Sequence, residues 1–236
     1  MVLDQPAQYD NMSIGLEKGK DLRQPLKEFI DLLPERVTNV LREMEIIERK
    51  NPRMRNVTRE LGYLLYRLVI DSNFKLILDL GTSNGCSALW LGSAAQQTGG
   101  EVISIENQPW KADMARQNIT KAGLSESVTV FLGDAVKISE NIDKIDLLFM
   151  DIWPGDYLRC IQGILPNLRQ GSLIVVDNLR DHRERDGTVI SRRQEGDDYL
   201  TFIHETLKIP VIDMPNIGSG AQIGLFYTTP ADTFRN

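Results

Sequence analysis

Hydrophobic residues recur at helical spacing along the first part of the chain. From Leu26 to Ile47, and again from about Val57 to Asp71, apolar side chains return every three or four positions. Pro34 suits a first helical turn, because the backbone N–H that proline lacks would have no helical partner there. These patterns predict a helical cap over residues 1–72.

After this segment the chain alternates short, almost wholly apolar runs with helical stretches. Strands that are apolar on both faces are typical of a parallel sheet covered by helices on both sides. We therefore predict one α/β domain over residues 1–236, with a doubly wound, mostly parallel, seven-stranded Rossmann-like sheet in residues 73–236. The predicted strands are KLILDL, EVISIE, SVTVFLGD, IDLLFMD, GSLIVVD, IPVIDM and AQIGLFYT.

Composition then narrows the classes of function. The chain carries a formal net charge of −6, which disfavours a nucleic-acid partner because such partners are usually met by a basic surface. No apolar run approaches the roughly 20 residues of a membrane span, and the N-terminus lacks a secretory signal pattern. Cys86 and Cys160 lie in apolar segments, which indicates core thiols. We expect a cytoplasmic protein without a nucleic-acid or membrane partner.

A glycine-containing turn follows the first predicted strand, where open parallel sheets bind their ligands. It begins at Asp79 and carries Gly81 and Gly85, with Ser83 in place of the middle glycine of a dinucleotide fingerprint. The second strand ends at Glu106, about twenty residues further on, where a carboxylate can accept both ribose hydroxyls. The pattern indicates an adenosine-type ligand and leaves NAD and S-adenosylmethionine (SAM) both open.

The same turn also fits the G-x-S-x-G nucleophile elbow of α/β-hydrolases. In that fold several strands precede the elbow, whereas here only helices precede Ser83. The base would have to be His182 or His204, since the chain has 2 histidines. The hydrolase interpretation is therefore disfavoured.

Oxygen-bearing side chains end two later strands. Asp151 ends the fourth predicted strand, and Asp177 and Asn178 end the fifth. The carboxyl ends of parallel strands share one edge of a sheet, so these side chains should be neighbours. Two carboxylates and an amide oxygen suit a hard divalent cation, above all Mg²⁺. Acidic residues also end strands for structural reasons, and that alternative stays open.

Taken together, these motifs resemble the catechol O-methyltransferase group of class I SAM-dependent methyltransferases. The resemblance runs from about Asn56 to Asn178, through ILDLGTSNGCSALWL, SIENQP, GDA, DIWPGDY and VVDN. It implies Mg²⁺ or another divalent cation on Asp151, Asp177 and Asn178, facing an acceptor with two adjacent hydroxyls. It also implies contacts with three parts of SAM. Val57, Gly81 and Ser87 would hold the methionyl group, and Glu106 would bind the ribose. The adenine would be surrounded by Asn107, Asp134, Ala135 and Trp153. Asp79, Ser83 and Asp151 complete the expected SAM-binding set.

The chain departs from this family at one position. Members usually carry a lysine base three residues after the first metal aspartate, where this chain has Pro154. Either the metal alone acidifies the acceptor hydroxyl or another group takes the proton. His182, five residues past Asp177, is the candidate base because its ordinary pKa lies near neutrality. A solvated loop histidine explains the position equally well.

The resulting expectation is a SAM- and metal-dependent O-methyltransferase acting on a small catechol-like or vicinal-diol acceptor. Pro154 keeps open a metal-independent methyltransferase of the same fold and a non-catalytic adenosine-binding module. A nucleotide-linked dehydrogenase is disfavoured by Ser83, which leaves less room for a pyrophosphate. The N-terminal segment has more apolar residues than one sheet face needs, so a homodimer is plausible.

Overall fold

A seven-stranded sheet forms the centre of the computed structural model, which describes residues 30–51, 54–179 and 196–226, and the backbone of 182–183 and 189–191. The sheet strands are β1 Leu76–Leu80, β2 Glu101–Glu106, β3 Val128–Leu132, β4 Ile145–Met150, β5 Leu168–Val176, β8 Val211–Met214 and β9 Ala221–Leu225. Their order is β3-β2-β1-β4-β5-β9-β8, with β9 antiparallel to both of its neighbours. The predicted mostly parallel, seven-stranded sheet is confirmed.

Helices cover both faces of this sheet. They are α1 Glu35–Lys50, α2 Arg59–Ser72, α3 Cys86–Thr98, α4 Pro109–Ala122, α5 Ala135–Ser139, α6 Tyr157–Ile164 and α7 Asp197–Thr201, which continues as a π-helical turn over Phe202–Leu207. One apolar cluster lies under α1 to α4 and includes Ile77 of β1. The other lies under α5 to α7 and includes Leu78 and Leu80 of the same strand. Neighbouring residues of β1 thus face opposite layers, as expected of a doubly wound fold.

Three elements differ in detail from the sequence prediction. Helix α2 begins two residues later than predicted, because the Thr58 hydroxyl accepts a hydrogen bond from the Leu61 N–H (3.3 Å) and caps it. The run YLRCIQGILPNL predicts a helix up to Leu168, but α6 ends at Ile164, since Pro166 supplies no N–H for a further helical bond and the chain continues as a 3₁₀ turn. The predicted loop around His182 contains a small hairpin, β6 His182–Arg183 and β7 Val189–Ser191.

Backbone hydrogen bonds hold the carboxyl ends of the central strands together. The N–H of Asp151 donates to Leu80 O (2.9 Å), and the N–H of Asp177 donates to Met150 O (3.1 Å). These bonds place the residues that follow β1, β4 and β5 side by side at one edge of the sheet. None of the helices in the described ranges is long and apolar enough to cross a membrane.

Candidate functional site

A cleft of about 480 Å³ opens at the carboxyl ends of β1 to β4. Most of the residues expected to bind SAM line it: Gly81, Ser83, Glu106, Asn107, Asp134, Ala135, Asp151 and Trp153. The indole of Trp153 is 65% exposed, so an aromatic face stands at the rim, where a planar ring could stack on it. The cleft is therefore open to solvent at Trp153, where the family resemblance predicts the adenine.

Gly81 lines the cleft where the turn after β1 meets the end of β4. Its φ is +100°, and a Cβ built on it would lie 2.3 Å from the carbonyl oxygen of Asp151. A side chain at this position would be strained and would also strike the backbone at the end of β4. Only glycine lets the turn after β1 approach β4 this closely.

Glu106 links that turn to the end of β2. Its Oε2 accepts a hydrogen bond from the N–H of Ser83 (2.8 Å), and its Oε1 accepts from the N–H groups of Asn107 (3.0 Å) and Gln108 (2.9 Å). A carboxylate offers about four acceptor positions, so three are filled by backbone groups. The carboxylate is held in one orientation and keeps acceptor capacity for a ribose hydroxyl.

Asp79 and Ser87 lie beneath the turn and do not line the cleft. The Asp79 carboxylate is fully buried and accepts hydrogen bonds from Ser87 Oγ (3.1 Å) and Ser104 Oγ (2.6 Å). Burial raises the pKa of Asp79 to about 6, against the lowering effect of the two hydroxyls. Val57 lies elsewhere again, in a second cavity of about 800 Å³ beside α1 and α2. Of the residues expected at the methionyl group, Gly81 lines the cleft and Ser87 lies beneath the turn, and the Val57 oxygen accepts from Cys86 Sγ (3.9 Å), the neighbour of Ser87.

Folding stability should depend on the protonation of Asp79. A pKa raised from 3.8 to about 6 means that the folded state binds the proton more tightly than the unfolded state. The contribution of Asp79 to the free energy of unfolding is then greatest below about pH 4 and falls by up to about 3 kcal/mol as the pH rises through 6. Asp79→Asn removes this titration, so we expect the variant to gain stability relative to the parent between pH 4 and pH 7. Urea unfolding at both pH values measures it, and a pH-independent difference would contradict the assignment.

The three predicted metal donors occupy the edge next to the cleft. The Asn178 amide donates a hydrogen bond to the Asp151 carboxylate, which joins the ends of β5 and β4. Asp177 is buried, and its Oδ1 accepts from the N–H of Ser219 (2.7 Å) in the turn between β8 and β9. Gly218 in that turn leaves no room for a side chain, because a Cβ would lie 2.6 Å from Asp177 Oδ1. Within the described ranges, no three His, Cys, Asp or Glu side chains form a ready metal-binding group.

Two positions concern the choice of the general base, Pro154 and His182. Pro154 is buried as the first residue of a 3₁₀ turn, Pro154–Asp156, where its fixed φ suits the turn. Its ring offers no proton acceptor. His182 begins strand β6, and its side chain lies outside the described residues.

Sequence reasoning missed several residues of the cleft, among them two cations. Lys111 and Arg159 both line it. The Arg159 guanidinium reaches Asp156 (3.3 Å) on its own helical stretch and Asp134 (3.4 Å) on the opposite wall. The spacing of Asp156 and Arg159 along the chain could have indicated the first contact. The contact with Asp134 depends on tertiary structure. The pKa of Asp134 is lowered chiefly by the hydrogen bond from the Lys137 N–H, and the Arg159 charge lowers it further.

Comparison with known proteins gives the family. A family profile described as a methyltransferase domain matches residues 78–179. A probable O-methyltransferase of Mycobacterium tuberculosis is 31% identical over 163 residues, which cover 64% of this chain and 69% of that protein. The chain belongs to the O-methyltransferases related to catechol O-methyltransferase.

One further relative supports this family, and a solved structure supports the fold. A catechol O-methyltransferase of the same organism is 30% identical over 143 residues, 60% of this chain and 63% of that enzyme. The chain thus spans a little under two thirds of that relative's length. The crystal structure of a Podospora anserina methyltransferase bound to S-adenosylhomocysteine (SAH) has a TM-score of 0.71 at 18% identity, covering 96% of this chain and 100% of that one. The family resemblance seen in the sequence is confirmed, and so is the fold.

Proposed function

We propose that this chain transfers the methyl group of SAM to a hydroxyl of a small acceptor with two adjacent hydroxyls, assisted by a divalent cation. One observation carries the proposal. Asp151 lines the cleft of about 480 Å³ and at the same time contacts Asn178 at the neighbouring edge. The proposed SAM-binding cleft and the oxygen-donor edge therefore share a residue. SAM in the cleft and an acceptor at the edge would then lie next to each other, as methyl transfer requires.

Several residues that line the cleft support SAM as its ligand. Glu106 keeps acceptor capacity for the ribose, and Trp153 and Ala135 line the same cleft, where they would contact the adenine. Ser83 in the turn leaves less space for a pyrophosphate than glycine would. SAM has no phosphate, so this narrower turn fits it better than it fits NAD.

The donor chemistry at the edge fits a hard divalent cation. Asp151, Asp177 and Asn178 would hold it, since two carboxylates and an amide are oxygen donors that Mg²⁺ accepts. Such a cation, when bound, makes a coordinated hydroxyl more acidic and orients it. Pro154 cannot take the released proton, so His182 stays the proposed base.

The rest of the catalytic effect should come from positioning. The sulfonium of SAM is already an activated methyl donor, so the acceptor oxygen, the methyl carbon and the sulfur must only be aligned. Alignment of two bound reactants can supply roughly 7–11 kcal/mol of the barrier. Gly81 and Glu106 fix the donor side of the cleft, and Asp151 stands between donor and acceptor.

Chelation tests the proposal and separates its alternatives. With SAM and a panel of diphenols, we expect SAH to accumulate in the presence of Mg²⁺ and to stop when EDTA is added. SAH formation that EDTA leaves unchanged would favour the metal-independent methyltransferase. SAH binding without any SAH formation would favour the adenosine-binding module. Stabilisation by NAD but not by SAH in a thermal-shift assay would overturn the cofactor assignment.

A further inference from the structure

A chain of polar side chains leads from the helical cap to the turn after β1. Glu48, near the end of α1, accepts two hydrogen bonds from Asn56, one from its backbone N–H (3.1 Å) and one from its Nδ2 (3.0 Å). The Oδ1 of Asn56 in turn accepts from the Nδ2 of Asn84 (2.9 Å). Three residues that are far apart in the sequence are thereby connected in series.

Asn84 is the member of this chain that belongs to the turn. It lies between Ser83, with φ +50°, and Gly85, with φ +97°. Its backbone oxygen accepts from Asn118 Nδ2 on α4 (2.9 Å), so the residue is held on two sides. Ser83, next to it, donates its N–H to Glu106 inside the SAM cleft. A shift of Asn84 would therefore also move the Ser83 N–H that binds Glu106.

The direction of every hydrogen bond in the chain is dictated by Glu48. A carboxylate only accepts, so Asn56 must present its Nδ2 to Glu48 and its Oδ1 to Asn84. Asn84 must then donate through its Nδ2. This leaves Asn84 Oδ1 buried without a hydrogen-bond partner among the described residues. An unsatisfied buried acceptor is unfavourable, which indicates that the orientation of Asn84 is imposed by the chain of contacts.

We propose that Glu48 and Asn56 are positioning residues for the SAM-binding turn, acting through Asn84. The inference rests on the proposed function, because it assigns to these residues the shape of the proposed SAM cleft. Neither residue lines that cleft. Their effect is to couple the helical cap to the geometry that receives the cofactor.

A reciprocal exchange of groups tests the proposal. Glu48→Gln leaves one oxygen to accept from the two N–H groups of Asn56 that Glu48 binds, and Asn56→Asp sets a second carboxylate against Glu48. We expect each single variant to raise the dissociation constant of SAH about tenfold, the equivalent of about 1.4 kcal/mol. The double variant exchanges donor and acceptor at the same contact and keeps the net charge. It should bind SAH within about threefold of the parent, since every hydrogen bond can form again.

Glu45→Gln is the matched control. Glu45 lies on the same helix, lines the same second cavity and pairs with Arg59 through two hydrogen bonds (2.6 and 2.7 Å). Its loss should lower the free energy of unfolding without changing the affinity for SAH. In steady state, the Glu48 and Asn56 variants should raise the KM for SAM and leave kcat at saturating SAM almost unchanged. A purely structural role would not produce this split.

Isothermal titration with SAH at one temperature, with the folded fraction of each protein checked by circular dichroism, distinguishes the outcomes. Equal dissociation constants for SAH in the parent and both single variants would overturn the positioning role and leave the proposed function intact. A double variant that binds as weakly as the single variants would overturn it as well. If Glu48→Gln does not fold, Glu48→Ala replaces it, because it removes the acceptor without adding a donor, and an unchanged affinity would again overturn the role. A parent protein that does not bind SAH would overturn the proposed function together with the inference.

Discussion

Gly81→Ala should raise the dissociation constant of SAH by about 100-fold or more, the equivalent of about 2.8 kcal/mol. The backbone at this position has φ +100°, which costs an alanine roughly 1–3 kcal/mol. The new Cβ would also lie 2.3 Å from the carbonyl oxygen of Asp151. The turn would have to shift relative to β4, which would displace the Ser83 N–H from its present hydrogen bond with Glu106. Isothermal titration with SAH measures the loss.

Gly99→Ala separates this effect from simple backbone strain. Gly99 ends α3 with φ +67°, and a Cβ there would meet nothing within 4 Å. The control should therefore lose about 1–2 kcal/mol of stability and keep its affinity for SAH. Equal losses of affinity in the two variants would show that the close approach of Gly81 to Asp151 does not shape the cleft.

Asp151→Asn should lower the turnover of a diphenol substrate by about 100-fold or more in the presence of Mg²⁺. The substitution keeps the shape of the side chain but removes the charge that a hard cation prefers, and metal assistance is worth several kcal/mol. The stabilisation of the protein by Mg²⁺ in a thermal-shift assay should disappear with it. The affinity for SAH should change only a few-fold, because the backbone oxygen that faces Gly81 is untouched.

Asp71→Asn is the matching control for this change. Asp71 lies exposed on α2 in an ion pair with Arg67, and such exposed pairs contribute little to stability. The control should keep both turnover and the response to Mg²⁺. If Asp151→Asn kept both as well, the cation would have to be held by other groups or be absent from the reaction.

The sequence was sufficient to predict the sheet, because the apolar residues of a strand show by themselves that both of its faces are buried. Leu78 and Leu80 of β1 face one apolar layer and Ile77 faces the other, and an almost wholly apolar run predicts this arrangement. The same holds for Glu106, which ends β2, and for Gly81 and Asp151, which follow β1 and β4. Their position at strand ends predicted that they would gather at one edge, and all three line the cleft.

Other parts of the site could not be predicted from local pattern. The pairing of Ser87 on α3 with Asp79 beneath the turn is one of them, because it depends on how α3 packs on the face of β1 from which the Asp79 side chain projects. The contact of Arg159 with Asp134 joins elements that are distant along the chain. No periodicity encodes such a contact.

The amino-acid sequence by itself determined the alternation of strands and helices, the glycine turn and the set of polar residues at the strand ends. It could do so because side-chain period and turn chemistry are properties of neighbouring residues. Only the tertiary structure decided which polar groups meet: Ser219 with Asp177, and Glu48 with Asn84 through Asn56. Those contacts depend on the order of the strands and the docking of α1, which bring distant hydrogen-bonding groups within about 3 Å.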